Sequence, residues 1–489
     1  MGKLIYKYSL NLSAKLDAFA YQRDAFDAIK DLDYAAIFHE QGLGKTKIAI
    51  DLLLYWLQEC DIDTVLIVTK KQLVKNWENE LAIHTFIKSS TLNSNKRDNY
   101  FIFNSPARIV ITNFETISSE RMRVELFAKS RNTAIIIDES TKIKNPDSKL
   151  TKDFFYLAPL FKKRVIMTGT PVANRPYDIW AQIYFLDFGA SLGENFAAFK
   201  SNTDLSNDMT ENISIRDFFE STVASIYDKI RNFAVRETKK SGIISLPNKV
   251  YSNVVAEFEI QQQQMYEQVK SEMELLVEKD NEVILDNSEA CLKRLLRLIQ
   301  ITSNPRLIND LYGSFSGKEI SLDKLLEEII INRKERVIVW SSFIENVDYF
   351  CKKYKKYSPT KIHGGMTIEA RNKSVEIFKG GESWVLFATP QSAKEGLTLT
   401  IANNVIFYDR GFNLDDYLQA QDRIHRISQT KTCYIYNLMI KDSIDIWVDK
   451  LLQAKQNAAF LAQGDYQLAQ YKDIMDYSYG DLIKEILKQ

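Results

Sequence analysis

The feature that most restricts this 489-residue chain is a series of short apolar runs rich in Ile and Val. YAAIF (34–38), TVLIVT (64–69), RIVIT (108–112), TAIIID (133–138) and RVIMT (164–168) show no polar alternation, so each reads as a strand covered on both faces. The stretches between them are long enough for helices, which predicts a buried parallel sheet. The pattern stops near residue 190. From there to about 320 the chain reads as helical, with Met265, Val269, Met273 and Leu276 on one core-packing stripe after Gln261–Gln264. Alternation then resumes with RVIVWS (336–341), TKIHG (360–364), SWVLFAT (383–389), Asn404–Tyr408 and CYIYNL (433–438), and the end is helical again. The expected class is α/β: a first lobe over 1–190, a helical insert and linker over 191–320, a second lobe over 321–450 and a helical tail over 451–489. No solenoid-type repeat is present.

Length agrees, since 489 residues exceed what one hydrophobic core can organise. Lys plus Arg and Asp plus Glu both number 64, so no overall field attracts a polyanion, and any such ligand must be held by a local surface. The four cysteines are scattered with no C-x-x-C pair, and the four histidines lack metal-ligand spacing, so no zinc site or disulfide framework is expected. Scattered cysteines, a start (MGKLIYKYSLNLSAKLD) without a secretory pattern, and the lack of an 18-residue apolar run predict a cytoplasmic protein.

Chemistry enters just after the first apolar run, in HEQGLGKTK. Gly42 and Gly44 allow backbone N–H groups close to a phosphate, Lys45 neutralises β/γ-phosphate charge, and Thr46 can place its hydroxyl on Mg²⁺ at a helix N-terminus. His39 stands where the strict phosphate-loop pattern has glycine. TAIIIDES then puts Asp138 and Glu139 at the tip of a buried strand, where a carboxylate needs a cation or donors. In a phosphate-loop fold Asp138 would hold Mg²⁺ and Glu139 would polarise the attacking water. Arg423 and Arg426, three apart in QAQDRIHRISQ, share one helix face or one tight turn. Paired guanidinium forks suit the charge of a transferring phosphoryl group.

With these motifs placed, residues 16–450 resemble the superfamily-two helicases, most closely their Swi/Snf-like branch. YQRDAF, VLIVTKKQLVKNWENEL, ITNFETI, DESTKIKNPDSK, MTGTPVANRPYDIW, VIVWSSF, IHGGMTIEAR, FATPQSAKEGLTLTIANNVIFYD and QAQDRIHRISQ follow in the order of that family's motifs. The resemblance implies two RecA-like lobes in tandem and ATP as the substrate with Mg²⁺. It implies nucleotide contacts from Gln22, Gly396 and Gln419, and arginines that reach the nucleotide from the second lobe. Thr168, Thr170 and Thr141 would couple hydrolysis to the track; the family usually carries His at 141. Phe412 stands where a Trp is common, and the segment before Gly396 lacks the usual glycine cluster.

The resemblance also implies a nucleic-acid track, double-stranded DNA, touched by loop groups of Lys70, Lys71, Thr112, Asn113, Ser341, Thr389 and Lys394, which position without reading bases. The expectation is a monomeric DNA-dependent ATPase that translocates on duplex, from a prokaryote or phage, with room for a targeting protein partner. A strand-separating DNA or RNA helicase is the alternative. A nucleotide-gated DNA-binding scaffold without motor activity is the alternative of another class. Trp77, Trp180 and Trp340 read as packing residues, not base-stacking platforms.

Overall fold

The computed structural model describes residues 10–241, 246–280, 289–395, 397–426 and 428–488; the side chains of 207, 272–280, 289–292, 393–395 and 484–488 lie outside that description. The chain forms two compact units. The first comprises Met1–Leu205, Asp217–Ile244 and Ala458–Asp473, and the second Ser206–Arg216, Ser245–Asn457 and Ile474–Gln489.

In the first unit, β1 (Tyr34–Ile37), β2 (Thr64–Thr69), β3 (Ser89–Thr91), β4 (Ile109–Asn113), β5 (Thr133–Asp138), β6 (Lys163–Met167) and β7 (Ala234–Val235) form a sheet ordered β3-β4-β2-β5-β6-β1-β7. Every pairing is parallel. All six residues of β2 and all six of β5 are buried, as the apolar runs at their centres imply. Val65, Ile67, Ala134, Ile136, Val165 and Met167 share one core with the inner face of the helix Lys45–Glu59.

The second unit carries β8 (Lys249–Ala256), β9 (Val337–Trp340), β10 (Thr360–Ile362), β11 (Val385–Ala388), β12 (Asn404–Phe407) and β13 (Cys433–Ile440), in the order β10-β11-β9-β12-β13-β8. These pairings are parallel too. Period-two side chains divide this sheet between two cores. Ile338, Trp340, Leu386, Ala388, Val405 and Phe407 face one, while Val337, Val339, Val385, Phe387 and Ile406 face the other.

Each strand expected from an unbroken apolar run is present, so the two parallel-sheet lobes are as the sequence implied. The stretch read as helical, 190–320, needs correction because it also holds β7 and β8. Apolar runs mark strands covered on both faces, and β8 is an edge strand whose Val250, Tyr251 and Val255 are exposed. The stripe on the helix Ile260–Asp280 also differs. Met265 and Val269 are half-buried, whereas Gln262 and Tyr266 are buried; Met273 and Leu276 have side chains outside the description. Gln262 Nε2 donates to the Ile301 carbonyl, and Tyr266 OH accepts from Ile444 N–H, so this face is satisfied by hydrogen bonds. Among the described residues, no helix is long and apolar enough to cross a membrane.

The double burial of β5 makes Ile136, with no exposed surface, a sensitive core position. Ile136→Ala is expected to lower the first unit's stability by about 2–5 kcal/mol, read as an earlier transition in urea denaturation followed by tryptophan fluorescence.

Candidate active site

Parallel strands end together, and the register shows what that places side by side. Asp138 is level with Met167, Met167 with Ile37, and Val68 with Ile137. The loops after β1, β2, β5 and β6 therefore leave one carboxyl edge of the first sheet, the edge where open α/β sheets bind ligands.

The loop after β1 turns into the helix Lys45–Glu59 through Gly42 (φ +91°) and Gly44 (φ +68°). Gly44 is required twice: its φ is left-handed, and a methyl there would overlap Gln22 Nε2. Gly169 is packed similarly, since a methyl on it would stand 3.0 Å from Gln41 N, so the loop after β6 lies against the loop after β1. Lys45 Nζ donates to the carbonyls of His39 (2.9 Å) and Glu40 (3.4 Å). Burial lowers the Lys45 pKa, and the charges of Glu139 and Asp138 oppose that shift. Buried His39 is driven down to about 4, by burial first and by Lys45 second, so it stays neutral beside the ammonium at neutral pH.

Asp138 is buried and anchored from β2 and from the helix Val74–His84. Trp77 Nε1 donates to its Oδ2 at 2.9 Å and Thr69 Oγ1 donates to the same oxygen at 3.1 Å. Burial, then the charge of Glu139, raises its pKa to about 6, while the two hydrogen bonds and Lys45 pull it back. Glu139 has the left-handed backbone conformation (φ +58°, ψ +49°) that glycine favours, where the chain leaves β5. Lys70 Nζ meets Glu139 Oε2 at 3.1 Å. A lysine expected on the track thus sits on the second acid.

The link between the loops after β5 and β6 runs through residues that the sequence did not single out. Ser140 Oγ donates to Gln182 Oε1 (2.7 Å), and Gln182 Nε2 donates to the Pro171 carbonyl (2.7 Å). One turn earlier, Asp178 accepts from Lys144 Nζ (2.8 Å) and from Asn174 N–H (2.9 Å). Asp178 and Gln182 lie four apart on one face and latch both loops. Their signal was present as polar residues inside the apolar stretch PYDIWAQIY. Thr168 is buried and its hydroxyl accepts from Thr170 N–H (3.2 Å); Thr141 is half-buried in the short turn Ser140–Ile143. Thr46 is half-buried in the first helical turn.

Gln22 is buried under the loop. Its Oε1 accepts from Phe19 N–H (3.0 Å), its Nε2 reaches Tyr21 OH (3.4 Å), and Tyr21 OH donates to the Leu43 carbonyl (3.2 Å). It braces the loop from below.

In the second unit the arginines sit in the turn after the helix Leu414–Gln421, the tight-turn alternative to a shared helix face. Arg423, 1 % exposed, donates from Nε to the Gln419 carbonyl (3.1 Å) and from Nη1 to the Leu397 carbonyl (3.3 Å). Arg426 donates from Nη1 to Thr398 Oγ1 (2.7 Å), and burial lowers its pKa. Both guanidiniums therefore address the 397–398 strip. Gln419 Nε2 donates to Asp415 Oδ1 (2.7 Å). The turn is held by the segment that sequence reading passed over: Lys249 pairs with Asp422 (3.0 Å), Tyr251 OH donates to Gln421 Oε1 (2.9 Å), and His425 Nε2 bonds the Pro247 carbonyl (2.8 Å). Gly396 lies outside the described residues.

The expected track contacts are placed unevenly. Lys71 is exposed on a short turn, and the Lys394 side chain lies outside the description. The side chains of Thr112, Asn113, Ser341 and Thr389 are buried, and Thr112 and Asn113 lie within β4 where a loop was expected. Asn113 caps the following helix by accepting from Thr116 N–H (2.9 Å), and Ser341 donates to Asp409 (2.6 Å). Asn113 and Ser341 are thus drawn inward to satisfy a backbone N–H and a carboxylate.

Two family comparisons match this arrangement: the SNF2-related domain over residues 34–307 and the helicase conserved C-terminal domain over 320–428. The chain belongs to the SNF2-related family. It is of the superfamily-two helicase type, in the Swi/Snf-like branch. An uncharacterized ATP-dependent helicase of Mycoplasma pneumoniae is 26% identical over 448 residues, covering 89% of this chain and 41% of its own length. The Arabidopsis thaliana ISWI chromatin-remodeling complex ATPase CHR17 is 27% identical over 464 residues, again 89% of this chain and 41% of the relative. The SNF2-family chain thus spans about two fifths of the length of these relatives. It is also similar to the Sulfolobus solfataricus SWI2/SNF2 ATPase core in complex with dsDNA, at 22% identity and TM-score 0.42, covering 97% of this chain and 99% of that one.

The raised Asp138 carboxyl makes a pH dependence testable. Only an ionised carboxylate can hold a cation, so if Asp138 has the role expected of it, kcat/KM for ATP should rise with pH through about 6. Trp77→Phe removes a donor that favours the charged form and should move this acid limb to higher pH, with Thr69→Val acting in the same direction. An unmoved limb in both variants would show that another group titrates.

Proposed function

We propose that the chain is an ATP-driven motor that couples hydrolysis to translocation along double-stranded DNA, remodelling DNA or protein–DNA complexes. The observation that carries the reading is the shared edge of the first sheet, where Lys45 and the Asp138–Glu139 pair feel one another's charge. Lys45 is assigned to the β/γ-phosphates, with Gly42, Gly44 and the helix N-terminus supplying N–H donors. Glu139, whose backbone directs it off the strand, is assigned to orient and polarise the attacking water.

Both hydrogen bonds to Asp138 converge on Oδ2, so Oδ1 would be the oxygen to hold a cation, and Thr46 would add a hydroxyl. Such hard oxygen donors suit Mg²⁺, which supplies charge neutralisation at the phosphates when bound. Arg423 and Arg426 are assigned to the charge of the transferring phosphoryl group, with Gln419 supporting their turn. Gln22 is assigned to the nucleotide side through its brace on Gly44. Coupling is assigned to the Ser140–Gln182–Pro171 path, which joins the acid-bearing loop to Thr168 and Thr170. Thr141 lies on the same turn.

The track assignment draws on the relatives' names, an ATP-dependent helicase and the ATPase of a chromatin-remodeling complex. Exposed Lys71 is the clearest candidate for a phosphate contact among the residues expected to make one.

Lys45→Ala and Glu139→Gln should each lower ATP turnover by on the order of 10²-fold or more. Turnover measured over a salt series should rise with duplex DNA more than with single-stranded DNA or RNA, and the stimulation should weaken as salt rises. Equal stimulation by single strands would overturn the duplex assignment. Strand release from a forked substrate would favour the helicase alternative.

A further inference from the structure

The loop that carries Lys45 is held from behind by residues distant in sequence. β7 runs beside β1, with Ala36 N–H donating to the Phe233 carbonyl and Phe38 N–H to the Val235 carbonyl, both at 2.8 Å. The pairing continues past the strands: Glu40 N–H donates to the Glu237 carbonyl (2.8 Å), and Lys239 N–H donates to Glu40 Oε2 (2.8 Å). Between these contacts stands Arg236. Its Nη1 donates to the carbonyl of Phe38 (2.8 Å), one residue before the His39 carbonyl that receives Lys45. Its other two nitrogens, Nε (2.6 Å) and Nη2 (2.5 Å), grip the two carboxylate oxygens of Asp465. The guanidinium is 7% exposed and the carboxylate 15%, so this fork is shielded from water and salt.

Asp465 is presented by a specific helix ending. The helix Ile444–Ala462 stops at Gly464, in a left-handed conformation (φ +76°), and Asp465 N–H reaches back to the Phe460 carbonyl (2.8 Å). That six-to-one bond with glycine at the preceding position is the Schellman stop. A side chain at 464 would run into the Tyr227 ring. Phe460 and Tyr466 close over the turn edge to face, with Lys240 Nζ above both rings. The turn is thus fixed on several sides, and the carboxylate it presents has one bidentate partner.

We propose that Asp465, acting through Arg236, is a positioning residue for ATP turnover: it holds the carbonyl of Phe38 and thereby the loop from which Lys45 acts. The proposal rests on the assignment of Lys45 to the phosphates. A salt bridge serving stability alone could grip any backbone; this one ends on the residue where β1 becomes the phosphate loop. Neutralising Asp465 leaves a buried guanidinium with one carbonyl partner, and the cheapest relief is for Arg236 to seek water and release Phe38. The loop would then sample more conformations, which costs the rate of the chemical step more than the binding of a ligand with many other contacts.

The test compares the full chain with Asp465→Asn, Asp465→Glu, Lys472→Ala and Lys45→Ala by steady-state ATPase assay, with thermal unfolding measured in parallel. Lys472 carries the same tail segment's other ion pairs, to Asp217 and Glu220, away from the loop. Asp465→Asn should lower kcat about tenfold with KM for ATP changed less than about threefold, about 1.4 kcal/mol in the barrier. Asp465→Glu should recover most of kcat, and Lys472→Ala should behave as wild type. The proposal is overturned if Asp465→Asn keeps wild-type kcat, or if its loss of turnover is matched by Lys472→Ala or by loss of the folded fraction. If Lys45→Ala itself turns over ATP normally, the phosphate-loop assignment fails, which is distinguishable because that result does not involve Asp465.

Discussion

A carboxylate at the end of a fully buried strand is expensive, and much of the first unit is arranged around that cost. β5 cannot present Asp138 without withdrawing it from water, so the carboxyl titrates far above its usual range. Donors from two other elements hold it charged, a tryptophan on the helix after β2 and a threonine at the tip of β2. The strain at Glu139 follows from the same geometry, because the next acid must leave the strand direction to meet Lys70. The two acids in turn temper the desolvation of Lys45. Loops, sheet edge and charges form one balanced set.

The same economy appears in the second unit with opposite charge. Arg423 and Arg426 are withdrawn from solvent and satisfied by backbone carbonyls and a threonine hydroxyl along 397–398. Their turn is pinned by Lys249, Tyr251 and the Pro247 carbonyl, all in or next to the edge strand β8. In both units, then, residues of the chemical motifs are held by segments far away in sequence. In the first unit the holding residues are Arg236 and Asp465; in the second, those around β8. Neither set carries a motif of its own.

Legibility in the sequence followed from this division. Strands with runs of apolar residues, such as VLIV in β2 and AIII in β5, were readable because burial on both faces removes the polar alternation. β8 was not, because KVYSNVVA lies at a sheet edge with residues 250–253 exposed on both faces, so burial leaves no apolar signature in it. Lys45, Asp138 and Glu139 were readable because phosphate chemistry demands those groups at that spacing. Trp77 was noticed as a packing residue, yet its indole N–H required a partner once buried, and that requirement is what ties it to Asp138. The burial of Thr112, Asn113, Ser341 and Thr389 was not readable, because a hydroxyl or amide at a strand end looks the same in sequence whether it faces water or the interior.

The sequence by itself determined the two parallel sheets, the glycine-lined loop with its lysine, the acid pair and the arginine pair, since each rests on local periodicity or on chemistry within a few residues. Only the tertiary structure decided which groups hold those residues in place: Trp77 and Thr69 for Asp138, Gln182 for the loop beyond it, β8 for the arginine turn, Asp465 for the start of the phosphate loop. These are pairings across tens to hundreds of residues, and a hydrogen-bond donor carries no mark in sequence of the acceptor that folding brings to it.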